Sequence, residues 1–190
     1  MPIPPHRPDG TLPPVTLARV QRPEQMTPFR ASLEELVRRF ALSTERHRIL
    51  QGFLAFRARL HELGIVDGFQ WIGGGFLELR PREPGDIDVV TFFRRPAAWT
   101  TREEEERVVR AAPEVFTSSG AGARYGCDAF FVALDAPDAL RWAVYWCGLH
   151  SHHMETCAWK GFLEIPLAPD TPGDLWGAAM AERASALGIG

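Results

Sequence analysis

The sequence of 190 residues predicts an α/β (α+β) domain. Apolar residues recur at helical spacing in some segments and crowd into short strand-like runs in others, and the two kinds interleave without an internal repeat.

Residues 1–28 hold half of the chain's 16 prolines and show no apolar periodicity. Such a segment is an arm, either extended over the domain or disordered. Residues 29–190 are then a single domain opening with a helical hairpin. Ser32 and Glu35 have capping-box spacing, and Leu33, Leu36, Val37 and Phe40 share a face, which predicts a helix over 32–41. A longer helix over 44–63 aligns Ile49, Phe53, Phe56, Leu60 and Leu63 and stops at Gly64. Its other face carries Arg46, Arg48, Arg57 and Arg59, which is either a solvated surface or a phosphate-binding one.

Strands follow at 68–72 and 86–93, separated by the glycine run Gly73–Gly75. Thr101 and Glu104 open the next helix, which ends before Pro113. "TSSGAGARYG", residues 117–126, reads as a flexible loop before a strand over 127–134. Asp138 is placed to cap a further apolar helix, residues 161–167 read as a strand disturbed near its end by Pro166, and residues 174–187 read as a helix.

The 21 basic residues nearly balance the 24 acidic ones, for a net charge of −3. No basic field favours non-specific nucleic-acid binding, so a nucleic-acid partner would have to be gripped locally. The three cysteines form no CxxC pair and suit a reducing compartment. No apolar run approaches the roughly 18 residues of a membrane span, and prolines stand where a signal peptide would have its apolar core. The expectation is a soluble, unprocessed, cytoplasmic protein without membrane contact.

Chemistry concentrates in "WIGGGFLELRPREPGDIDVVTFF", residues 71–93. Strand alternation points Asp86 and Asp88 the same way, about 7 Å apart. Like charges on one sheet face repel, and a divalent cation removes the conflict; Mg²⁺ suits such oxygen ligands and commonly bridges them to substrate phosphates. Glycines between a strand and a short helix starting near Phe76 let backbone N–H groups approach a phosphate, although a tight turn would also require one glycine. Asp128 opens an otherwise apolar strand, where a buried carboxylate needs a partner. If the two strands are neighbours, three carboxylates converge.

This combination resembles the nucleotidyltransferase superfamily of DNA polymerase beta, kanamycin nucleotidyltransferase and the small bacterial minimal nucleotidyltransferases. Their signature is a Gly-Gly or Gly-Ser turn, about ten residues, an Asp-x-Asp strand and a third acidic residue on a later strand. Gly74-Gly75, Asp86-Ile87-Asp88 and Asp128 match it. The stretches "QWIGGGF", "PGDIDVVTFF", "YGCDAFF" and "WKGFLEI" are similar to a prokaryotic group of that superfamily, within residues 43–167 or so. Gly75 is a departure, because many members have a serine there whose hydroxyl helps hold the nucleotide phosphates.

The resemblance implies a small mixed β-sheet with helices mainly on one face. It implies a Mg²⁺-dependent enzyme that moves a nucleoside monophosphate from an NTP to a hydroxyl of RNA, protein or a small molecule. Asp86 and Asp88 would share two Mg²⁺ ions, and Asp128 would bind the catalytic one and help deprotonate the hydroxyl. Gly74, Gly75 and Lys160 would contact the nucleotide phosphates; an ordinary surface lysine is the alternative for Lys160. A partner protein or nucleic acid would supply acceptor recognition, in a toxin-antitoxin or phage-defence setting. The rival expectation is a catalytically silent nucleotidyltransferase fold acting as a binding or regulatory subunit.

Secondary candidates are weaker. Arg124 and Tyr125 could contact a ligand or anchor their loop. Cys147, His150 and Cys157 are zinc-ligand types at no standard finger spacing. Among the six tryptophans, Trp159 beside Lys160 is the candidate for base stacking.

Overall fold

The computed structural model describes residues 3–17, 19–168 and 175–189. Its helices are α1 (Leu33–Phe40), α2 (Thr44–Glu62), α3 (Arg102–Ala111), α4 (Pro113–Phe116), α5 (Ser118–Tyr125), α6 (Ala139–His150) and α7 (Leu175–Ala186). Its strands are β1 (Phe29–Arg30), β2 (Gly68–Gly73), β3 (Ile87–Phe93), β4 (Cys127–Ala133) and β5 (Leu163–Pro166). The predicted start of the last helix at Asp174 lies outside the described residues.

Local chemistry accounts for the ends of these elements. Ser32 Oγ accepts from the Glu35 amide while the Glu35 carboxylate accepts from the Ser32 amide, closing a capping box on α1. Thr101 and Glu104 repeat the device on α3. Asp138 does not cap α6 through its side chain, because its carboxylate accepts from Trp142 Nε1 instead.

Residues 117–126 are α5 with its caps rather than a loop. Thr117 Oγ1 accepts from the Gly120 amide, and Gly126 ends the helix in the left-handed conformation at φ 65°. Composition misleads here because the small residues serve packing: a Cβ on Gly120 would lie 2.2 Å from the Pro113 carbonyl oxygen.

The strands form one mixed sheet in the order β1-β5-β2-β3-β4. β2 is antiparallel to β3 and β5, while β1 runs parallel to β5 and β3 parallel to β4. Phe56 of α2 and Phe116 of α4 pack on Phe131, on one face of the sheet. Trp146 of α6 packs on Phe130, one residue away and therefore on the other face. α6 covers part of that second face.

Two arginines of α2 are neither solvated nor free for phosphate. Arg57 is buried and donates to Gln70 Oε1 at 2.6 Å and to the Pro166 carbonyl at 2.8 Å. Gln70 in turn donates to Thr91 Oγ1, so polar groups fully buried beneath the sheet are bonded. Arg46, also buried, donates to the carbonyls of Phe76 and Glu78 at 2.6 and 2.5 Å, which fixes the turn after the glycine run.

The N-terminal arm lies across the domain. His6 donates to the Leu77 carbonyl, the Leu79 amide to Gly10, and the Gly161 amide to Leu12, whose side chain is buried. Among the described residues no helix is long and apolar enough to cross a membrane.

Candidate functional site

Pairing decides whether the aspartates can meet. Asp88 and Asp128 are direct partners across the parallel β3–β4 pair, and Gly73 of β2 is the antiparallel partner of Asp88. Directly paired residues project from the same face, so the two carboxylates stand side by side on the face that α6 partly covers. Asp86 is the residue two before Asp88, exposed just ahead of β3.

These charges feel one another. The carboxyl of Asp88 is pushed up to about 6 by burial first, then by the negative charges of Asp86 and Asp128, against the opposing pull of Lys160. Asp128 is held by Ser118, whose hydroxyl donates to Oδ1 at 2.5 Å from the first turn of α5. No sequence signal marked Ser118, because it becomes a partner only once residues 118–125 coil into a helix.

The three glycines have three different reasons. A Cβ on Gly73 would lie 1.9 Å from His150 Nδ1, so this position makes room for an imidazole. A Cβ on Gly74 would lie 1.6 Å from Asp88 Oδ2. Gly74 also adopts φ 67° and ψ −162°, a region that is essentially glycine-only. Gly75 opens the short 3₁₀ turn Gly75–Leu77 and faces open space. Room for a ligand beside the backbone is therefore found at the third glycine, while the first two accommodate the protein's own side chains.

Lys160 is 6 % exposed, and its Nζ donates to Glu78 Oε1 at 2.7 Å. The other oxygen of Glu78 meets Arg80 as an ion pair without hydrogen-bond geometry. Lys160 thus sits in a buried pair beneath the glycine turn, near enough to Asp88 to favour its charged form. Lys160→Met leaves the buried Glu78 without its main partner and costs about 3–5 kcal/mol of stability, measured by urea denaturation. Wild-type stability in that variant would show that Arg80 alone satisfies Glu78.

His150, at the end of α6, is buried against Trp146 and Phe162, and its Nε2 has no hydrogen-bond partner among the described residues. Burial and the nearby Lys160 push its pKa down to about 4, so the ring is neutral at pH 7. Cys157 is exposed and Cys147 half-buried. Among the described residues no three His, Cys, Asp or Glu side chains form a preformed metal cage. Mg²⁺ seldom requires one, because it is usually bound by one or two carboxylates with water and substrate phosphates completing its shell. Trp159 is exposed, and Arg124 and Tyr125 lie in the last turn of α5, with Tyr125 against Phe56.

Fold and site together define an α+β protein with a five-stranded mixed sheet and an acidic cluster at the start of two parallel strands. The chain belongs to the protein family described as a family of unknown function, DUF6932, which matches residues 4–166. No curated protein and no solved structure matches it.

Proposed function

We propose that this protein is a Mg²⁺-dependent nucleotidyltransferase. The observation that carries the proposal is the side-by-side placement of Asp88 and Asp128 on adjacent parallel strands, with Asp86 close by and Gly74 directly against the Asp88 carboxylate.

Asp86, Asp88 and Asp128 would hold the metal. They fit a divalent cation because burial of Asp88 and then the crowding of the three carboxylates disfavour full ionisation without a counter-charge. Bound Mg²⁺ would supply neutralisation of the phosphate charge and of the attacking and leaving oxygens. Gly75, unobstructed on its open side, leaves backbone within reach of a triphosphate. Asp128, oriented by Ser118, would accept the proton of the acceptor hydroxyl as its oxygen bonds to the α-phosphorus and pyrophosphate departs. The Glu78–Lys160 pair and the carbonyl grip of Arg46 would keep the turn in place.

Incubation of the protein with labelled NTPs, Mg²⁺ and cell extract should label an RNA, a protein or a small molecule, and Asp88→Asn should remove the label. Labelling that persists in the variant would refute the assignment. The second reading, a silent binding subunit, draws on Gly75, which has space for a serine side chain but lacks the hydroxyl. It expects nucleotide binding without transfer under the same conditions.

A further inference from the structure

Three segments far apart along the chain line a cavity of about 370 Å³. The N-terminal arm brings Arg7, Asp9 and Thr11, the stretch after the glycine turn brings Arg80, and the loop between α6 and β5 brings His153 and Thr156. The chemistry assigned to the acidic cluster does not use it.

The cavity wall holds donors that lack an acceptor. The amides of Glu155 and Thr156 both donate to His153 Nδ1 at 3.3 Å. A ring that accepts at Nδ1 carries its proton on Nε2, and that nitrogen is in contact with Arg80 Nη2, itself a donor. Moving the proton to Nδ1 would only set it against the two amides instead. Two N–H groups therefore meet with no acceptor between them, and an oxyanion resolves the conflict because it can accept from both.

Further donors line the same space. Arg7 is held by Thr11 Oγ1, the Trp159 carbonyl and Asp9 through Nε and Nη2, which leaves Nη1 without a hydrogen bond among the described residues. Thr156 Oγ1 accepts from the Ala158 amide and keeps its own proton to donate. Asp9 opposes an anion, but its oxygens are engaged: Oδ1 accepts from the amide and hydroxyl of Thr11, and Oδ2 pairs with Arg7. Two guanidiniums against that one carboxylate leave the lining positive.

We propose that this cavity binds the phosphate group of a small phosphate monoester. A phosphate has three terminal oxygens to share among donors arriving from three segments, where a carboxylate has two, and both arginines can meet it with a planar fork. The volume lies within the roughly 300–1,000 Å³ of small-molecule pockets, so the phosphate is carried on an organic body that fills the rest. The proposal stands apart from the nucleotidyl-transfer reading, because no metal and no aspartate of the acidic cluster takes part in it.

The test is isothermal titration calorimetry of the full chain near neutral pH with a chelator present, using inorganic phosphate, ribose 5-phosphate, ribose and acetate as probes. Inorganic phosphate should bind one to one with a Kd of about 1 mM or tighter, ribose 5-phosphate at least as tightly, and ribose and acetate at least about tenfold more weakly. Arg80→Ala should weaken phosphate binding at least about tenfold, the loss of one charge-assisted hydrogen bond. Arg80 is exposed and Glu78 keeps Lys160, so the circular dichroism spectrum should not change. His153→Asn separates binding from architecture. The asparagine oxygen can still accept from the two loop amides, but the N–H at Nε2 is gone, and binding should again fall at least about tenfold with the fold intact. A wild type that binds no phosphate overturns the proposal. So does acetate or ribose bound as tightly as phosphate, ribose 5-phosphate bound more weakly than phosphate itself, or phosphate binding that survives either substitution.

Discussion

Asp88→Asn should make the metal-free protein more stable at neutral pH while abolishing nucleotidyl transfer. The folded state holds the Asp88 proton up to about pH 6, whereas an unconstrained aspartate releases it near 3.8. A carboxyl whose pKa is raised on folding binds its proton more tightly in the folded state. Its favourable contribution is complete below the unfolded value and is lost as pH rises through the folded one. At pH 7 the wild type therefore carries a penalty, and the interval from 3.8 to about 6 corresponds to up to about 3 kcal/mol at ~1.36 kcal/mol per pH unit.

Asparagine has nearly the same shape and no charge to repel Asp86 and Asp128. In melts with a chelator present, Asp88→Asn should exceed the wild type by roughly 6–10 °C at pH 7 and by little at pH 3. Mg²⁺ should raise the wild-type midpoint, since a ligand of the folded state stabilises it, and should have a much smaller effect on the variant. An equal difference between the two proteins at every pH would show that no buried charge is being relieved.

Gly74→Ala should damage both the backbone of the turn and the acidic cluster beside it. Alanine at φ 67° and ψ −162° costs about 1–3 kcal/mol in backbone strain alone. Its Cβ, 1.6 Å from Asp88 Oδ2, also forces that carboxylate out of its place. A displacement of about 1 Å at a reacting centre can cost 10²-fold, so transfer should fall at least that far. Gly75→Ala is the internal control: its Cβ enters open space at a position without a positive φ, and stability should hold. Equal losses in the two variants would remove the special standing given to Gly74.

Much of the scaffold was legible in the sequence because it rests on local rules. Capping boxes and apolar periodicity place α1, α2 and α3, and the strand reading of residues 87–93 puts Asp88 on β3. What was hidden depends on long-range packing. Nothing near residue 46 announces that its guanidinium will bind carbonyls 30 and 32 residues away. α5 is masked by its glycines, of which Gly120 serves close packing, and Ser118 was concealed with it. The glycine run is the clearest case: three identical letters suggest one cause, yet an imidazole, a carboxylate and open space lie beside them in turn.

The placing of β5 between β1 and β2 bears on how the protein is made. Among the described residues strand β1, near residue 30, pairs with a strand near residue 163 and no other, and the arm before it bonds to Gly161. During synthesis β1 has no strand to pair with until residue 163 has left the ribosome, although the arm before it can already meet Leu77 and Leu79, and β2 keeps one edge bare for the same interval. Completion of the sheet therefore waits for β5, and nascent chains stalled before Leu163 should be the ones that call for chaperones.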